Sequence, residues 1–311
     1  MKRLVSTIGL EKKEWLQYRK HGITGTDAGA IVGLNPYVSA FKVYQDKVSD
    51  EIEEIDNESM RQGRDLEAYV AKRFEEQTGK KVKRANAIFY NPEYEWMLAD
   101  YDRLIIGEKA GLECKTVNAY SADKWKDGKI PLHYQLQVQH YLAVSGYECW
   151  YIAALILGRD FIVHKIERDE EMIQDLITIE ERFWKQNVLS NNPPDPDGSA
   201  NYTEMLNKRF QGNTDKSMCL YGVQEDLQRR EEIDNLLTRL TQEKNEIDQK
   251  IKLRMQDAAY GEAGAYRVSW VPYSQQRIDS TRLKKENPEI YRQYIKVVNG
   301  RKFTVKHTDA A

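Results

Sequence analysis

The chain has 311 residues, of which 41% are hydrophobic and 31% are charged, and its formal net charge at pH 7 is −2. This length is enough for a full hydrophobic core and for more than one domain. The charge argues against a passive nucleic-acid coat, which would be strongly basic, but not against an enzyme that acts on nucleic acid through bound cations. The three widely spaced cysteines predict neither a disulfide framework nor a zinc site.

Neither a membrane span nor a signal peptide is expected. The longest strongly apolar run, residues 150–157, is far shorter than the roughly 20 residues that a membrane helix needs. The N-terminus lacks the apolar block of a signal peptide. We therefore expect a cytoplasmic protein.

The N-terminal part is predicted to be helical, with short helices over residues 11–19, 26–33 and 39–48. A longer helix is predicted over Glu58–Thr78, because apolar residues recur there at every fourth position and Gly79 provides a stop signal.

Strands are predicted next, as a three-strand meander over residues 81–90, 96–106 and 110–116. A helix over 132–144, two strands over 149–157 and 160–167, and a helix over 170–188 complete this part. Gly158 marks a hairpin between the last two strands. The order predicts an α/β core of the size of a single domain.

The proline- and aspartate-rich stretch 190–199 predicts a domain boundary, which we place after residue 192. Residues 1–192 then form the main domain, and 193–311 form a helical C-terminal appendage with strand-like pieces at 266–271 and 302–306. In the appendage, 224–255 is a charged helical stretch with a seam of near-heptad apolar residues that Lys244 interrupts. This interruption favours a helical hairpin within one chain over a long intermolecular coiled coil.

Chemistry is concentrated in two short segments, Asp100-Tyr101-Asp102 and Glu113-Cys114-Lys115. Alternate residues of a strand share a face, so Glu113 and Lys115 are predicted to point together. Asp102 lies across the Gly107 turn, and a hairpin could return it beside Glu113. Carboxylates and a lysine on one face can hold a hard divalent cation and act on a water or a phosphate beside it. Glu-x-Lys alone is common, however, and is more often a solvated strand face.

Five motifs occur in order along residues 11–190: Trp15-Leu-Gln-Tyr-Arg19 with Gly22-Ile-Thr-Gly-Thr-Asp27, Gly63-Arg-Asp-Leu-Glu67, Asp102, Glu113-Cys-Lys115, and Gln137-Val-Gln139-His-Tyr141. This ordered set resembles the lambda-type phage exonuclease family, also called the YqaJ-type viral recombinase family, within the PD-(D/E)xK nuclease superfamily. The resemblance implies a restriction-endonuclease-like α/β core with a central mixed sheet flanked by helices.

The resemblance also implies roles for single residues. Asp102, Glu113 and the backbone carbonyl of Cys114 would hold the metal, and Lys115 would be the catalytic lysine. Glu67 matches the helix-borne acid that helps to hold a second metal or its waters, and Gln137 matches a glutamine that orients the site. The family often has Pro-Asp-Gly at the first acid, whereas this chain has Tyr101-Asp102-Arg103, and Asp100, on the same strand face, is a weaker rival. In isolation Glu67 and Gln137 would be read as ordinary helix positions.

Upstream, Arg19, Thr24 and Thr26 precede the start of a predicted helix, where unpaired amides favour an anion. In the family that the chain resembles, this region binds the terminal 5′-phosphate of DNA. Taken alone, a threonine cap beside an arginine is usually structural.

The function expected from the resemblance is a Mg²⁺-dependent exonuclease, with Mn²⁺ as a possible substitute. It would digest double-stranded DNA ends 5′→3′ and generate single strands for phage-type recombination by strand annealing. A single-strand annealing protein and a ring-shaped homo-oligomer are the partners implied, in the cytoplasm of a bacterial host. The alternatives are an endonuclease or opposite-polarity nuclease of the same superfamily, or a non-catalytic module that binds DNA ends or a partner.

Overall fold

The structure, a computed structural model, describes residues 1–52, 54, 56–210, 217–296 and 301–306. The chain divides into two compact units, residues 1–206 and 207–311. The predicted boundary after residue 192 falls earlier than this division, because helix α7 (Ala200–Arg209) packs Tyr202 and Met205 against the core of the first unit. No helix in the described ranges combines the length and apolar character needed to cross a bilayer.

The first unit begins with two strands and four helices: β1 (Lys2–Ser6), α1 (Lys12–Arg19), the short β2 (Ile23–Thr24), α2 (Gly25–Ile31), α3 (Ala40–Val48) and α4 (Glu58–Thr78). The helices match the predicted ones to within about two residues, because their capping and periodic apolar residues are local signals. Helix α4 ends where the backbone of Gly79 turns left-handed, with φ +73°.

Five strands, two helices, two strands and a final helix follow: β3 (Val82–Arg84), β4 (Ala87–Tyr90), β5 (Met97–Asp100), β6 (Arg103–Ile105), β7 (Ala110–Val117), a 3-10 helix (Ala119–Trp125), α5 (Leu132–Ser145), β8 (Cys149–Ile156), β9 (Asp160–Glu167) and α6 (Glu170–Phe183). A π-helical segment, Trp184–Leu189, extends α6. The hairpin predicted at Gly158 joins β8 to β9.

The predicted three-strand meander is wrong. Each of its first two strands is interrupted, and the pieces belong to two sheets, with strand orders β1-β4-β5-β2 and β3-β6-β7-β8-β9. Asn86 adopts a left-handed conformation, φ 52°, where the chain passes from β3 to β4. Between β5 and β6 the buried ring of Tyr101 stacks on Phe89 and packs against Trp150, so the chain changes sheets there.

The five-stranded sheet is mixed, because β7 and β8 are parallel and its other pairs are antiparallel. Helix α4 packs on the face of Leu112, through Val70 and Phe74. Helices α5 and α6 lie on the opposite face, around Trp150. Gly111 is needed on that face, because a Cβ there would lie 2.1 Å from the Trp150 ring. The mixed sheet between helices is the predicted fold class.

The second unit contains helix α8 (Gln224–Met255), the antiparallel strands β10 (Tyr260–Ala263) and β11 (Tyr266–Ser269), and short helices α9 (Ser280–Glu286) and α10 (Pro288–Tyr294). The predicted helical hairpin is wrong: α8 is one continuous helix of 32 residues. It contains no glycine or proline that would break it, and Lys244 pairs with Asp248 one turn later. Residues 302–306, predicted as strand-like, form no strand.

Candidate active site

The candidate site lies where the face of β7 that carries Glu113 meets helix α5. Register pairs Arg103 of β6 with Leu112 of β7, which brings Asp102 alongside Glu113. One carboxylate oxygen of Asp102, Oδ2, accepts a hydrogen bond of 2.7 Å from the backbone N–H of Cys114. The predicted return of Asp102 across the Gly107 turn is therefore confirmed.

Glu113 and Lys115 share a face of β7, as their spacing predicts. Lys115 Nζ lies 2.7 Å from Glu113 Oε1. Both side chains are nearly inaccessible, with 6% of the glutamate and 16% of the lysine exposed. Burial opposes the charged form of Lys115, but Glu113, Tyr134 and Asp102 together outweigh it and raise the pKa of the lysine above its ordinary value. The lysine therefore remains an ammonium group at neutral pH.

Gln137 joins these two residues from helix α5. Its Oε1 accepts from Lys115 Nζ at 3.0 Å, and its Nε2 donates to Glu113 Oε1 at 2.8 Å. Nε2 also donates to the hydroxyl of Tyr141, one turn further along the helix, at 2.8 Å. One amide thus fixes the positions of the ammonium and the carboxylate at the same time.

Sequence reasoning missed Tyr134, whose ring lies 4.5 Å from Lys115 Nζ. The face of the ring attracts the ammonium group, so Lys115 is held by Tyr134 as well as by Glu113 and Gln137. The available signal was the spacing: Tyr134 lies three residues before Gln137 on α5, so both side chains fall on the same helix face.

Glu113 Oε2 is buried and has no hydrogen-bond partner among the described residues. A buried carboxylate oxygen without a partner is expensive unless a cation satisfies it. Burial, and then the nearby carboxylates of Glu113 and Glu67, raise the pKa of Asp102 well above its ordinary value. Lys115 pairs with Oε1 of Glu113 only, so a further cation beside Oε2 and Asp102 would stabilise both carboxylates.

The donor set suits a hard cation. Within the described residues, no group of three or more His, Cys, Asp and Glu side chains is arranged to hold a metal ion. Asp102 and Glu113 offer two neighbouring carboxylates, and Mg²⁺ typically takes one or two carboxylates and completes its shell with water and substrate oxygens. The residues present fit such an ion.

Glu67 is held differently from the other acids. Its carboxylate accepts from the guanidinium of Arg103, and the same guanidinium nitrogen donates to the carbonyl of Asp102 at 2.7 Å. Arg103 is buried and stands at the position where the resembled family often has glycine. The ion pair therefore ties the helix-borne acid to the loop that carries Asp102, and sequence reasoning did not predict it.

Asp100 does not share a strand face with Asp102, because β5 ends at Asp100 and Asp102 lies beyond the crossing to the second sheet. Its carboxylate accepts from the indole N–H of Trp15. Burial raises the pKa of Asp100, and Arg19 partly opposes the rise. The two aspartates thus occupy different surroundings, with Asp102 beside Glu113 and Asp100 beside α1.

The three residues of the predicted phosphate pocket come together. Arg19 Nη2 donates to the hydroxyl oxygens of Thr24, at 3.0 Å, and Thr26, at 2.8 Å. The guanidinium also lies over the Trp15 ring, 4.4 Å from its centroid. Arg19 is thus held at the start of α2, where a capping box already satisfies the backbone N–H groups of Thr24 and Asp27.

Asp27 and Lys47 form an ion pair behind the pocket, at 2.7 Å. Asp27 accepts from the backbone N–H and the hydroxyl of Thr24, each at 2.8 Å. Burial opposes ionisation of Asp27, but Lys47 and then Arg19 hold its pKa below the ordinary value. The lysine neutralises an acid that would otherwise repel an anion, and it was not among the predicted residues.

Gly25 lets the pocket approach α5 closely, because a Cβ there would lie 2.5 Å from the ring of Tyr141. Tyr141 in turn contacts Gln137. The pocket at Arg19 and the site at Glu113 are therefore joined through one helix.

Comparison with known proteins agrees with this arrangement. Residues 14–148 match the family described as the YqaJ-like viral recombinase domain. The chain is 40% identical, over 308 residues, to the uncharacterized protein YqaJ of Bacillus subtilis (strain 168), with 97% of each chain covered.

Two solved structures are similar in fold. An alkaline exonuclease from Laribacter hongkongensis, LHK-Exo, has a TM-score of 0.51 and 19% identity, over 63% of this chain and 97% of that one. LHK-Exo in complex with dAMP has a TM-score of 0.50 and 22% identity, over 56% and 92%. The near-complete coverage at 40% identity carries the assignment: the chain belongs to the YqaJ-like viral recombinase family.

Proposed function

We propose that the protein is a Mg²⁺-dependent exonuclease that digests double-stranded DNA from its ends. The observation that carries the proposal is the buried Oε2 of Glu113, beside Asp102 and Lys115, which has no hydrogen-bond partner in the described part of the chain. Membership of a recombinase family and the fold of an alkaline exonuclease support it.

In this proposal Asp102, Glu113 and the backbone carbonyl of Cys114 hold the ion, and Glu67 assists from α4. A bound divalent ion activates water and neutralises charge on the leaving oxygen. The hydrogen bond from the Cys114 N–H orients the Asp102 carboxylate before any ion arrives. Mn²⁺, which also accepts oxygen ligands, is expected to substitute.

Lys115 is proposed as the catalytic lysine. Gln137 and Glu113 hold its ammonium, and its raised pKa keeps it charged, so that it presents donors to a phosphate oxygen or a water at the same face of β7. Gln137 is a positioning residue, because it holds both Lys115 and Glu113.

The 5′→3′ direction is proposed from the second pocket. A terminal 5′-phosphate would accept hydrogen bonds from Arg19, Thr24 and Thr26 and from the amides at the start of α2. Because Asp27 is already paired with Lys47, Arg19 remains available to the phosphate. The pocket would select ends that carry that phosphate.

The cellular role follows from the family. A viral recombinase that digests one strand from DNA ends would leave single strands for recombination by annealing, with an annealing protein as partner. A homo-oligomeric ring is proposed from the resemblance to lambda-type exonucleases. Residues 1–192 would form the nuclease domain, and the appendage would serve docking or assembly.

The decisive experiment compares linear and circular plasmid, with Mg²⁺ and with EDTA. An exonuclease should degrade only linear DNA and only with Mg²⁺, and a 5′-terminal label should be released before a 3′-terminal one. Cleavage of circular DNA would instead indicate an endonuclease, and earlier release of the 3′ label would indicate the opposite polarity. Binding of DNA ends without cleavage would indicate a non-catalytic module.

A further inference from the structure

Residues 260–306, the C-terminal segment, follow α8 and are strongly basic. It contains ten lysines and arginines and four aspartates and glutamates, a net charge of +6 in a chain whose net charge is −2. Its three glutamates are paired with arginines at 2.9–3.2 Å: Glu262 with Arg267, Glu286 with Arg282, and Glu289 with Arg292. Asp279 caps α9. The segment's own acids are therefore occupied locally.

Five lysines of the segment have no such partner. Among the described residues, none of the carboxylates forms an ion pair with them: Lys284, Lys285, Lys296, Lys302 and Lys306. Unpaired lysines on one short segment produce a positive field that attracts a polyanion. The rest of the chain is net acidic, so the segment differs from it in the sign of its charge.

The same segment exposes an unusual number of aromatic rings. The exposed fractions are 74% for Tyr260, 77% for Tyr266, 47% for Trp270, 84% for Tyr273, 82% for Tyr294 and 81% for Phe303. Neither α9 nor α10 buries any residue against which these rings could pack. Tyr266 and Trp270 are four residues apart at β11, where the strand pairing continues through the Trp270 N–H, so the two rings point to the same side.

We propose that the C-terminal segment binds single-stranded DNA. The exposed rings would stack on bases and the lysines would neutralise phosphates, the combination used for sequence-independent binding of single strands. Base faces are accessible to a ring in a single strand but are covered by stacking in a duplex. The inference rests on the proposed function for its source of ligand, because digestion of one strand leaves the other single-stranded.

An acidic protein is the rival occupant, and the charge alone would suit it. The rings favour DNA, because each group of them lies beside cations in the sequence: Tyr266 and Trp270 flank Arg267, Tyr294 lies two residues before Lys296, and Phe303 follows Lys302. Exposed rings next to cations fit a ligand that offers one phosphate and one base per unit.

The test is a binding titration of the full chain in EDTA, where no cleavage occurs. The probe is fluorescein-labelled oligothymidylate of about 20 nucleotides, longer than typical site sizes of about 4–16 nucleotides, and fluorescence anisotropy is the readout. The variant Tyr266→Ala/Trp270→Ala/Tyr273→Ala should bind at least about tenfold more weakly than wild type. Because these side chains are exposed, circular dichroism should confirm an unchanged fold.

Two matched controls isolate stacking. Tyr266→Phe/Tyr273→Phe keeps the rings and should bind within about twofold of wild type. Tyr221→Ala removes a ring that is 89% exposed but lies outside the segment, and it too should leave binding unchanged. Unchanged binding by the triple alanine variant would overturn the inference and point to a protein partner.

The lysines are tested by salt dependence. Lys284→Gln/Lys285→Gln should reduce the slope of log affinity against log salt by about 0.7 for each phosphate that is no longer neutralised, while Lys284→Arg/Lys285→Arg should preserve it. Because the nuclease domain is itself proposed to bind duplex ends, the single-strand assignment is tested by the variant: the triple alanine change should leave affinity for a duplex of the same length unchanged, and an equal loss of duplex and oligothymidylate affinity would overturn the assignment. If the protein binds oligothymidylate but does not cleave DNA with Mg²⁺, the proposed function is refuted and this inference is not. If it cleaves DNA with Mg²⁺ but does not bind oligothymidylate, only this inference is refuted.

Discussion

The carboxylate of Asp102 is anchored to the backbone N–H of Cys114, at 2.7 Å. This bond fixes the first acid against the strand that carries Glu113 and Lys115. An asparagine at the position keeps an acceptor for the N–H, so a substitution can remove charge without removing the anchor. The arrangement thus separates the structural role of Asp102 from its proposed role as a metal ligand.

Asp102→Asn should therefore fold as the wild type does and fail to cut DNA. Metal assistance is worth several kcal/mol, so the rate should fall on the order of a thousandfold or more. Glu113→Gln should behave alike, and both variants should still bind duplex ends in Ca²⁺. Cleavage of linear DNA at saturating Mg²⁺ is the measurement, and near wild-type activity in either variant would contradict the ligand assignment.

Gln137→Ala should slow cleavage about 10- to 100-fold, as is typical when a group that orients the ligands of a metal site is removed. The decrease should appear in kcat, because the residue holds Lys115 and Glu113 and is not expected to touch DNA.

Gln139→Ala is the matched control on the same helix. The hydrogen bonds of the Gln139 side chain to described residues go to backbone groups of Glu167 and Asp169, so its removal should lower Tm and leave kcat largely intact. The same pattern in both variants would indicate a merely structural role for Gln137.

Wild-type protein should digest 5′-phosphorylated duplex ends faster than 5′-hydroxyl ends, and Arg19→Ala should erase most of that preference. A charge-assisted contact is worth about 1.5–3 kcal/mol, which corresponds to roughly ten- to a hundredfold in rate. Lys20→Ala removes the neighbouring cation, which bonds the carbonyls of Ser49 and Glu51 outside the pocket, and should keep the preference. Equal rates on both ends by the wild type would remove the pocket from the proposal.

The buried pair His140–Glu180 should make stability depend on pH. Both ring nitrogens of His140 face acceptors: Nδ1 faces the Glu180 oxygens at 3.0 Å, and Nε2 faces the carbonyl of Leu98 at 2.8 Å. Burial lowers the pKa of His140, but Glu180, the Leu98 carbonyl and Asp27 together raise it above its ordinary value. The imidazolium is therefore favoured in the folded protein.

The pKa of His140 is higher in the folded protein than in the unfolded chain, where it is about 6.5. The charged ring therefore contributes its full share to the free energy of unfolding below about pH 6.5, and this contribution is lost as the pH rises through the folded pKa. Glu180→Gln should lower the free energy of unfolding by about 3–5 kcal/mol at pH 6, as expected for a broken buried pair. The difference from wild type should shrink toward pH 9. Urea denaturation across this range tests it, and a difference independent of pH would show that the ring is neutral.

Local signals explain what could be predicted. Helix α4 and helix α8 have the predicted bounds, because periodic apolar residues, caps and the absence of breakers act within a few turns. The shared face of Glu113 and Lys115 follows from the geometry of a strand. The contact of Gln137 with both was implied by family resemblance alone, since no local rule places a residue of α5 beside β7.

Pairing between distant segments explains what could not be predicted. Strand β1 was missed because its burial is slight and its register with β4 is set by backbone bonds. The chain passes from one sheet to the other at Tyr101, and this crossing depends on the packing of the Tyr101 ring against Phe89 of β4 and Trp150 of β8. The ion pair of Glu67 with Arg103 likewise joins residues 36 positions apart.

The parallel pairing of β7 with β8 has a consequence for protein synthesis. Strand β8 ends at Ile156, and the 3-10 helix and α5 must emerge from the ribosome before it. Parallel partners need such a long crossover, and contacts between distant segments form slowly. Before β8 has been synthesised, the Trp150 ring cannot pack on Gly111, and one edge of β7 has no hydrogen-bonded partner strand. The proposed acidic site on β7 is therefore flanked by both neighbouring strands only after Ile156 has been synthesised, when more than half of the first unit is complete.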